Sequence, residues 1–447
     1  MFLTDTQTMK DLGILDKAGG IYDLYQRATT RGGGMVLDEF LQFPLNDAAQ
    51  INQRTGLIRH FSQHGMTFPF TKDLFDAAEQ YLTERDDRTR LTVGGQRLGK
   101  KLTDLLASDA QHKTIVKGIR AVLQLLQQLQ RFVADKAVSS NKDYAGEKNT
   151  IISLLAEEAL KPLLAADASG RLSPEKLSQY DGLLRFRHYA EVRRLLQYMY
   201  QLDAYLTIGR VAVEKGFCFP EALPYSGADG SSVCMEEVWH PGVAGARGNT
   251  TRIDSRHNVV FLTGANMAGK STFMKSVGIA MYLAHTGMPV AAKRMTFTVM
   301  DGLFTTINLP DDLGMGASHF YAEVLRLKMV ARELYGGRRL FIVFDELFRG
   351  TNVKDAGEAT VEVVDAFAGR RNSLFIISTH IIEAGDALKD RTDHIRYHYL
   401  PTRMEGNRPV YTYRLEEGIT EDRHGMVIIR NEGILETLKI TNGIHNR

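Results

Sequence analysis

The sequence predicts an α/β domain preceded by an all-α domain, on three observations. Residues 1–210 hold few β-branched runs and long stretches rich in Leu, Gln, Ala, Lys and Glu, the composition of helices. From about 246 to 447, short apolar runs alternate with helical stretches, the pattern of a sheet covered by helices. Between them, Phe217-Cys218-Phe219-Pro220, Leu223-Pro224 and Gly227 to Ser232 are turn-rich and set a linker over 211–245.

The clearest helix of the first part covers roughly 112–135. Its apolar residues Ile115, Ile119, Val122, Leu126, Leu129 and Val133 step by alternating four and three, a coiled-coil seam. A polar loop follows at 139–146, then a shorter helix near 150–165. A second long helix is expected over about 178–208, with Leu184, Tyr189, Val192, Leu195, Met199, Leu202, Tyr205 and Leu206 on one broad face. These helices suit a scaffold bundle, or levers that carry motion from a distant site. Arg85, Arg88, Arg90, Arg97, Lys100 and Lys101 form a basic cluster diluted by Asp86 and Asp87, better read as a solvated helix end than as a phosphate-binding patch.

In the second part, the apolar run Val259-Val260-Phe261-Leu262 leads into Gly264-Ala-Asn266-Met267-Ala-Gly269-Lys270-Ser271-Thr272. This is a phosphate-binding loop between a strand and a helix. Gly264 and Gly269 let the backbone wrap closely and turn its N–H groups inward. Lys270 brings a charge to the outer phosphates, the Ser271 hydroxyl suits Mg²⁺, and Thr272 adds a phosphate contact. The helix that starts here points its positive end at the anion. A second apolar run, Leu340 to Phe344, ends in Asp345-Glu346. Asp345 suits the Mg²⁺ shell and Glu346 suits a general base for water. A third, Leu374 to Thr379, ends at His380, an imidazole able to contact a γ-phosphate or hold the water. The stretch Leu309 to Phe320 makes a glycine-rich turn ending in Ser318. That hydroxyl could cap its own helix or receive a γ-phosphate bound elsewhere. Arg349-Gly350-Thr351-Asn352 lies where a loop senses phosphate.

The order and spelling of these motifs resemble the MutS family of ABC-type ATPases. The resemblance rests on Thr263 to Thr272 with Asn266-Met267 inside the loop. It continues in Asp311-Asp312-Leu313 through Phe320 and Glu323, Asp345-Glu346 through Gly350-Thr351, and Thr379-His380. It covers about 240–440 strongly. It reaches upstream more weakly, through Thr30 to Gly34, Phe43-Pro44-Leu45, Leu202-Asp203 to Pro220, His240-Pro241 and Asn249. The fold it implies is an α/β P-loop (ABC-type) ATPase domain preceded by an all-α helical core or lever domain. It further implies ATP and Mg²⁺ as cofactors, a homodimer in which Ser318 acts in trans, and Lys270, Ser271, Asp345, Glu346 and His380 acting in cis. Asn266 and Asn352 join the nucleotide site, Tyr413 falls where the family can place a ring on adenine, and Glu417 onward resembles the closing helical segment. Departures are His319, Ala265, Arg423-His424, and Ala246-Arg247 where an aromatic often stands. The family's mismatch-reading domain and full clamp find no room.

Composition sets mild limits. The chain of 447 residues is 44% hydrophobic and 24% charged, with a net charge of +2, which makes no bulk case for or against nucleic acid. Two cysteines, Cys218 and Cys234, fit a reducing cytoplasm, and no run is long enough to span a membrane. The expected function is a dimeric ATPase acting on DNA such as branched or recombination intermediates, without mismatch reading. The alternatives are an ATP-driven switch for a protein partner and a non-hydrolysing nucleotide-binding module, which Glu346 argues against.

Overall fold

The computed structural model describes residues 2–91, 102–227, 230–307, 319–348, 351–405, 408–420 and 433–440. The chain divides into two compact units. One comprises Met1–Leu24, Leu41–Thr55 and Ala212–Arg447, and the other comprises Tyr25–Phe40 and Gly56–Val211.

The first unit is an α/β assembly. Its strands are β1 (Glu221–Leu223), β2 (Ser232–Val238), β3 (Asn249–Asp254), β4 (Val259–Gly264), β5 (Arg294–Thr298), β6 (Gly302–Thr306), β7 (Leu340–Phe344), β8 (Leu374–Ser378), β9 (Ile395–Leu400), β10 (Thr402–Glu405), β11 (Arg408–Tyr411) and β12 (Glu416–Glu417). The main sheet runs β12-β9-β4-β8-β7-β6, a second runs β1-β5-β2-β3, and β10 pairs with β11. In the main sheet, β9, β4, β8, β7 and β6 are mutually parallel and β12 is antiparallel. Every residue of β4, β6, β7 and β8 is buried, as continuous apolar strands covered on both faces must be. One face packs Phe261, Ile342, Phe344, Phe375 and Ile377 against Val330, Val361, Val364, Phe367 and Leu388 of the following helices. Each such side chain contributes about 1.5–3 kcal/mol by leaving water. Helix Lys270–His285 is buried from Phe273 to its end except for Lys275, the mark of a core helix.

The N-terminal segment belongs to this unit, although all of 1–210 was expected with the helices. Leu3 bridges Gly302 in parallel beside β6; its N–H donates to Asp301 O at 2.8 Å and its carbonyl accepts from Leu303 N–H at 2.9 Å. Asp5 caps helix Thr6–Leu12 through Thr8 N–H at 2.9 Å and pairs with Arg326. Buried Asp11 accepts from Thr305 Oγ1 at 2.8 Å and Ile307 N–H at 2.9 Å, fixing the end of β6. Residues 41–55 are pinned in turn. Arg54 donates to Thr286 O at 2.7 Å, and Asn52 exchanges two bonds with the Ala222 backbone at 2.7 and 2.9 Å.

The second unit is helical among the described residues. Its longest helix is Leu102–Ala134, ten residues earlier in its start than the periodicity indicates. All six seam residues are buried, but so are Ala121, Leu123 and Leu125, so the helix is buried on more than a coiled-coil stripe. The stretch near 150–165 is two helices, Ala145–Leu155 and Lys161–Leu164. The helix expected over 178–208 is broken: Pro174–Asp181 leads into a π-helical turn, Gly182–Arg187, before Tyr189–Lys215. The break holds a fully buried pair, Asp181 with Arg185 at 2.6 Å. Asp181 also accepts from Tyr81 OH at 2.8 Å and Leu91 N–H at 2.9 Å, while Arg185 donates to Glu84 O at 2.5 Å and Thr89 O at 3.1 Å. A buried pair of this kind tolerates no missing partner, and the wider turn brings all these groups together. Asp203 caps the start of helix Arg31–Gln42 from afar, accepting from Thr29 N–H, Thr30 N–H and Thr30 Oγ1 at 3.1, 2.7 and 2.8 Å. A Cβ on Gly33 would fall 2.4 Å from its Oδ2, so the Thr30-Arg31-Gly32-Gly33-Gly34 stretch needs glycine there.

Of the basic cluster, Arg85 lies 3.9 Å over the Tyr189 ring, Arg90 lies 5.2 Å over Phe186, and Arg88 pairs with Asp86. Arg97, Lys100 and Lys101 fall outside the described residues. Among the described residues, no helix is long and apolar enough to cross a membrane.

Candidate nucleotide site

Sheet order explains how residues far apart in sequence meet. β4 lies beside β8 and β8 beside β7, all parallel, so Gly264, Asp345-Glu346 and Ser378-Thr379-His380 leave the same sheet edge. Carboxyl ends of parallel strands are where such sheets bind ligands.

The 264–269 loop is shaped by glycine. Gly264 has φ 145° and Gly269 has φ 103°, and helix Lys270–His285 begins directly after it. A Cβ on Gly264 would sit 3.1 Å from Leu400 O, so both backbone and packing exclude a side chain. Lys270 is buried and donates to Gly264 O at 2.8 Å and Ala265 O at 3.3 Å. Burial lowers its pKa, with Asp345 and Glu346 opposing the shift.

Ser271 Oγ donates to Asp345 Oδ2 at 2.5 Å. Burial pushes the Asp345 carboxyl up and Glu346 adds to the push; the Ser271 and Ser378 hydroxyls and Lys270 pull it back. Glu346 Oε1 meets His380 Nε2 at 2.5 Å. Glu346 holds φ 54° and Phe348 φ 64°, while Met267 holds φ 68° in the loop and Tyr413 φ 54° opposite it. Three of the five non-glycine residues with positive φ among the described residues, Met267, Glu346 and Tyr413, therefore line one cleft, and strained backbone of this kind clusters at functional sites.

A cavity of 680 Å³ lies at this loop, a size that suits a small organic ligand; Asp345 and His380 are not among its lining residues but bond to Ser271 and Glu346, which are. Asn266, Gly269, Lys270, Ser271, Thr272, Glu346 and Tyr413 all line it. Its far wall is Val243 to Arg247, so Ala246 and Arg247 do face the cavity where an aromatic was missed. Asn249 fixes the facing segment by donating to Tyr413 O at 3.0 Å and accepting from Leu415 N–H at 2.8 Å. The Tyr413 ring lies against Gly269, where a Cβ would come within 3.1 Å of it.

Asn352 caps helix Val353–Ala368, accepting from Asp355 N–H at 3.0 Å, and is not among the residues lining the cavity. Ser318, with 308–318 around it, lies outside the described residues, as do Arg349, Gly350, Arg423 and His424. Motif reading also passed over Ser378, a fully buried hydroxyl at the end of β8. The signal was a polar residue closing an otherwise apolar strand.

The donor set fits Mg²⁺. A hydroxyl and a carboxylate oxygen 2.5 Å apart converge beside the loop, and both are hard oxygen ligands.

The MutS domain V profile matches residues 260–441, the segment that carries the loop, the acid pair and His380. Residues 260–441 therefore match the MutS family. The chain is similar to the DNA mismatch repair protein MutS of Persephonella marina (strain DSM 14350 / EX-H1), at 26% identity over 272 residues. That alignment covers 59% of this chain and 30% of the relative. The DNA mismatch repair protein MutS of Anaeromyxobacter sp. (strain Fw109-5) is 28% identical over 268 residues, covering 54% of this chain and 30% of the relative. The matched MutS segment thus spans under a third of each relative's length.

Proposed function

We propose that the chain is a Mg²⁺-dependent ATPase of P-loop, ABC type that works as a homodimer and couples ATP turnover to movement of its helical unit. The observation that carries this reading is that Lys270, Ser271 and Glu346 line one cleft, with Asp345 bonded to Ser271 and His380 bonded to Glu346 behind them. The 264–269 amides and Lys270 hold the phosphates, with the helix dipole behind them. Ser271 and Asp345 hold Mg²⁺, which when bound neutralises the phosphate oxygens. Glu346 takes the proton of the attacking water, and His380, bonded to that carboxylate, fixes its direction. Tyr413, Asn266 and the 243–247 wall receive the base and sugar. Ser318 of the partner subunit completes each site, and ATP binding closes the pair.

The macromolecule acted on is DNA, on the strength of the MutS relatives, both described as DNA mismatch repair proteins. A protein partner is the second reading, favoured by the local engagement of Arg85, Arg88 and Arg90. ATPase rates measured with no DNA, duplex, mismatched and branched DNA test both. Stimulation by one of these DNAs, with binding that weakens steeply with salt, is expected. Equal rates and no binding at high micromolar DNA leave the protein-partner reading, and no hydrolysis under any condition removes the ATPase.

A further inference from the structure

We infer that Ser378 is a positioning residue that sets Asp345 and Glu346 together, and so governs how tightly the site takes Mg²⁺ with nucleotide. Its side chain is fully buried at the end of β8. The hydroxyl donates its one proton to Asp345 Oδ1. The same oxygen accepts the Glu346 N–H at 3.1 Å, and the Ser378 carbonyl accepts that N–H as well, also at 3.1 Å.

The chemistry of a hydroxyl makes this arrangement directional. With one proton and two lone pairs, Ser378 is held by an amide on its acceptor side, which leaves its proton aimed at the carboxylate. Asp345 thereby has one oxygen bound by Ser378 and the other facing Ser271. Its plane is fixed and its second oxygen is turned to the metal side. The same amide bond holds the backbone of Glu346 in its left-handed conformation, φ 54°, which no β-strand residue adopts unaided. One hydroxyl thus orders the metal-side carboxylate and the water-side residue at once. Partners that orient a metal ligand from behind typically change metal affinity by about 10–100-fold when removed. An alanine at 378 leaves the Asp345 carboxylate free to turn and the Glu346 amide with the carbonyl alone.

This inference rests on the nucleotide reading of the cleft, and the experiment separates the two. A fluorescent ATP analogue is titrated into the full chain with and without Mg²⁺, for wild type, Ser378→Ala and Ser378→Thr, alongside steady-state hydrolysis. For Ser378→Ala, the Mg²⁺ concentration giving half of the metal-dependent gain in binding is expected to rise about 10-fold. Binding without Mg²⁺ stays as in wild type, and kcat falls while KM at saturating Mg²⁺ holds. Ser378→Thr, which keeps the hydroxyl, restores the half-point. An alanine variant with the wild-type half-point overturns the inference, as does one that also loses Mg²⁺-free binding, since that marks general damage. A threonine variant that behaves like alanine removes the hydroxyl from the account. Wild type that binds no analogue overturns the nucleotide reading itself.

Discussion

His285 shows how one residue's surroundings fix its chemistry. Nδ1 faces Met281 O at 2.8 Å and Nε2 accepts the Met300 N–H at 3.1 Å, so the ring is neutral with its proton on Nδ1. Burial drives its pKa down to about 4 from 6.5. Below pH 6.5 the unfolded chain takes up a proton that the folded ring refuses, so stability is full above 6.5 and falls as pH drops to about 4. The loss from this group is up to ~3 kcal/mol. Urea unfolding between pH 7 and pH 4 should show a shallower fall for His285→Gln, from a lower starting stability; parallel curves for the two proteins would sink the assignment. At the cleft, Glu346→Gln should keep ATP binding and lower turnover by ~10²-fold or more. Turnover at the wild-type rate would place the base elsewhere.

Among elements, the N-terminal helix depends most on a distant partner. Asp11→Ala leaves the Thr305 hydroxyl and Ile307 amide short of an acceptor inside the sheet unit. The expected cost is about 1–3 kcal/mol, seen as a lower denaturation midpoint, and an unchanged midpoint would mean that another group takes over. Nothing in the spelling of residues 1–12 announces this, because the bond partners lie some three hundred residues away. By contrast, the heptad-like stretch from Ile115 to Val133 is legible because its periodicity is local, and β4, β7 and β8 are legible as uninterrupted apolar runs. The break at 182–187 is not, since it answers to Glu84 and Thr89 from another part of the chain. Within the cleft, Gly264 to Thr272, Asp345-Glu346 and His380 could be picked out because each sits at the end of a readable strand. Asn352 was named for its place after the acid pair, and the cap it forms on its own helix is a feature the motif did not announce. Ser378 needed the β7–β8 register before its two neighbours were visible.

At the scale of the whole molecule, both units are assembled from separated stretches of chain. The Leu3–Gly302 bridge gives this a practical edge. A fragment cut at 212 would hold every described residue of the cleft. It would also present the outer side of β6, the last strand of the main sheet, with no strand paired to it among the described residues. An uncovered strand edge is a template for self-association. Such a fragment is expected to form oligomers that grow with concentration in light scattering, while the full chain does not. A monodisperse fragment would show that the leading residues are dispensable as edge protection. A fragment that associates would instead mark the first dozen residues as a built-in solubility device for a sheet encoded mostly by the other end of the gene.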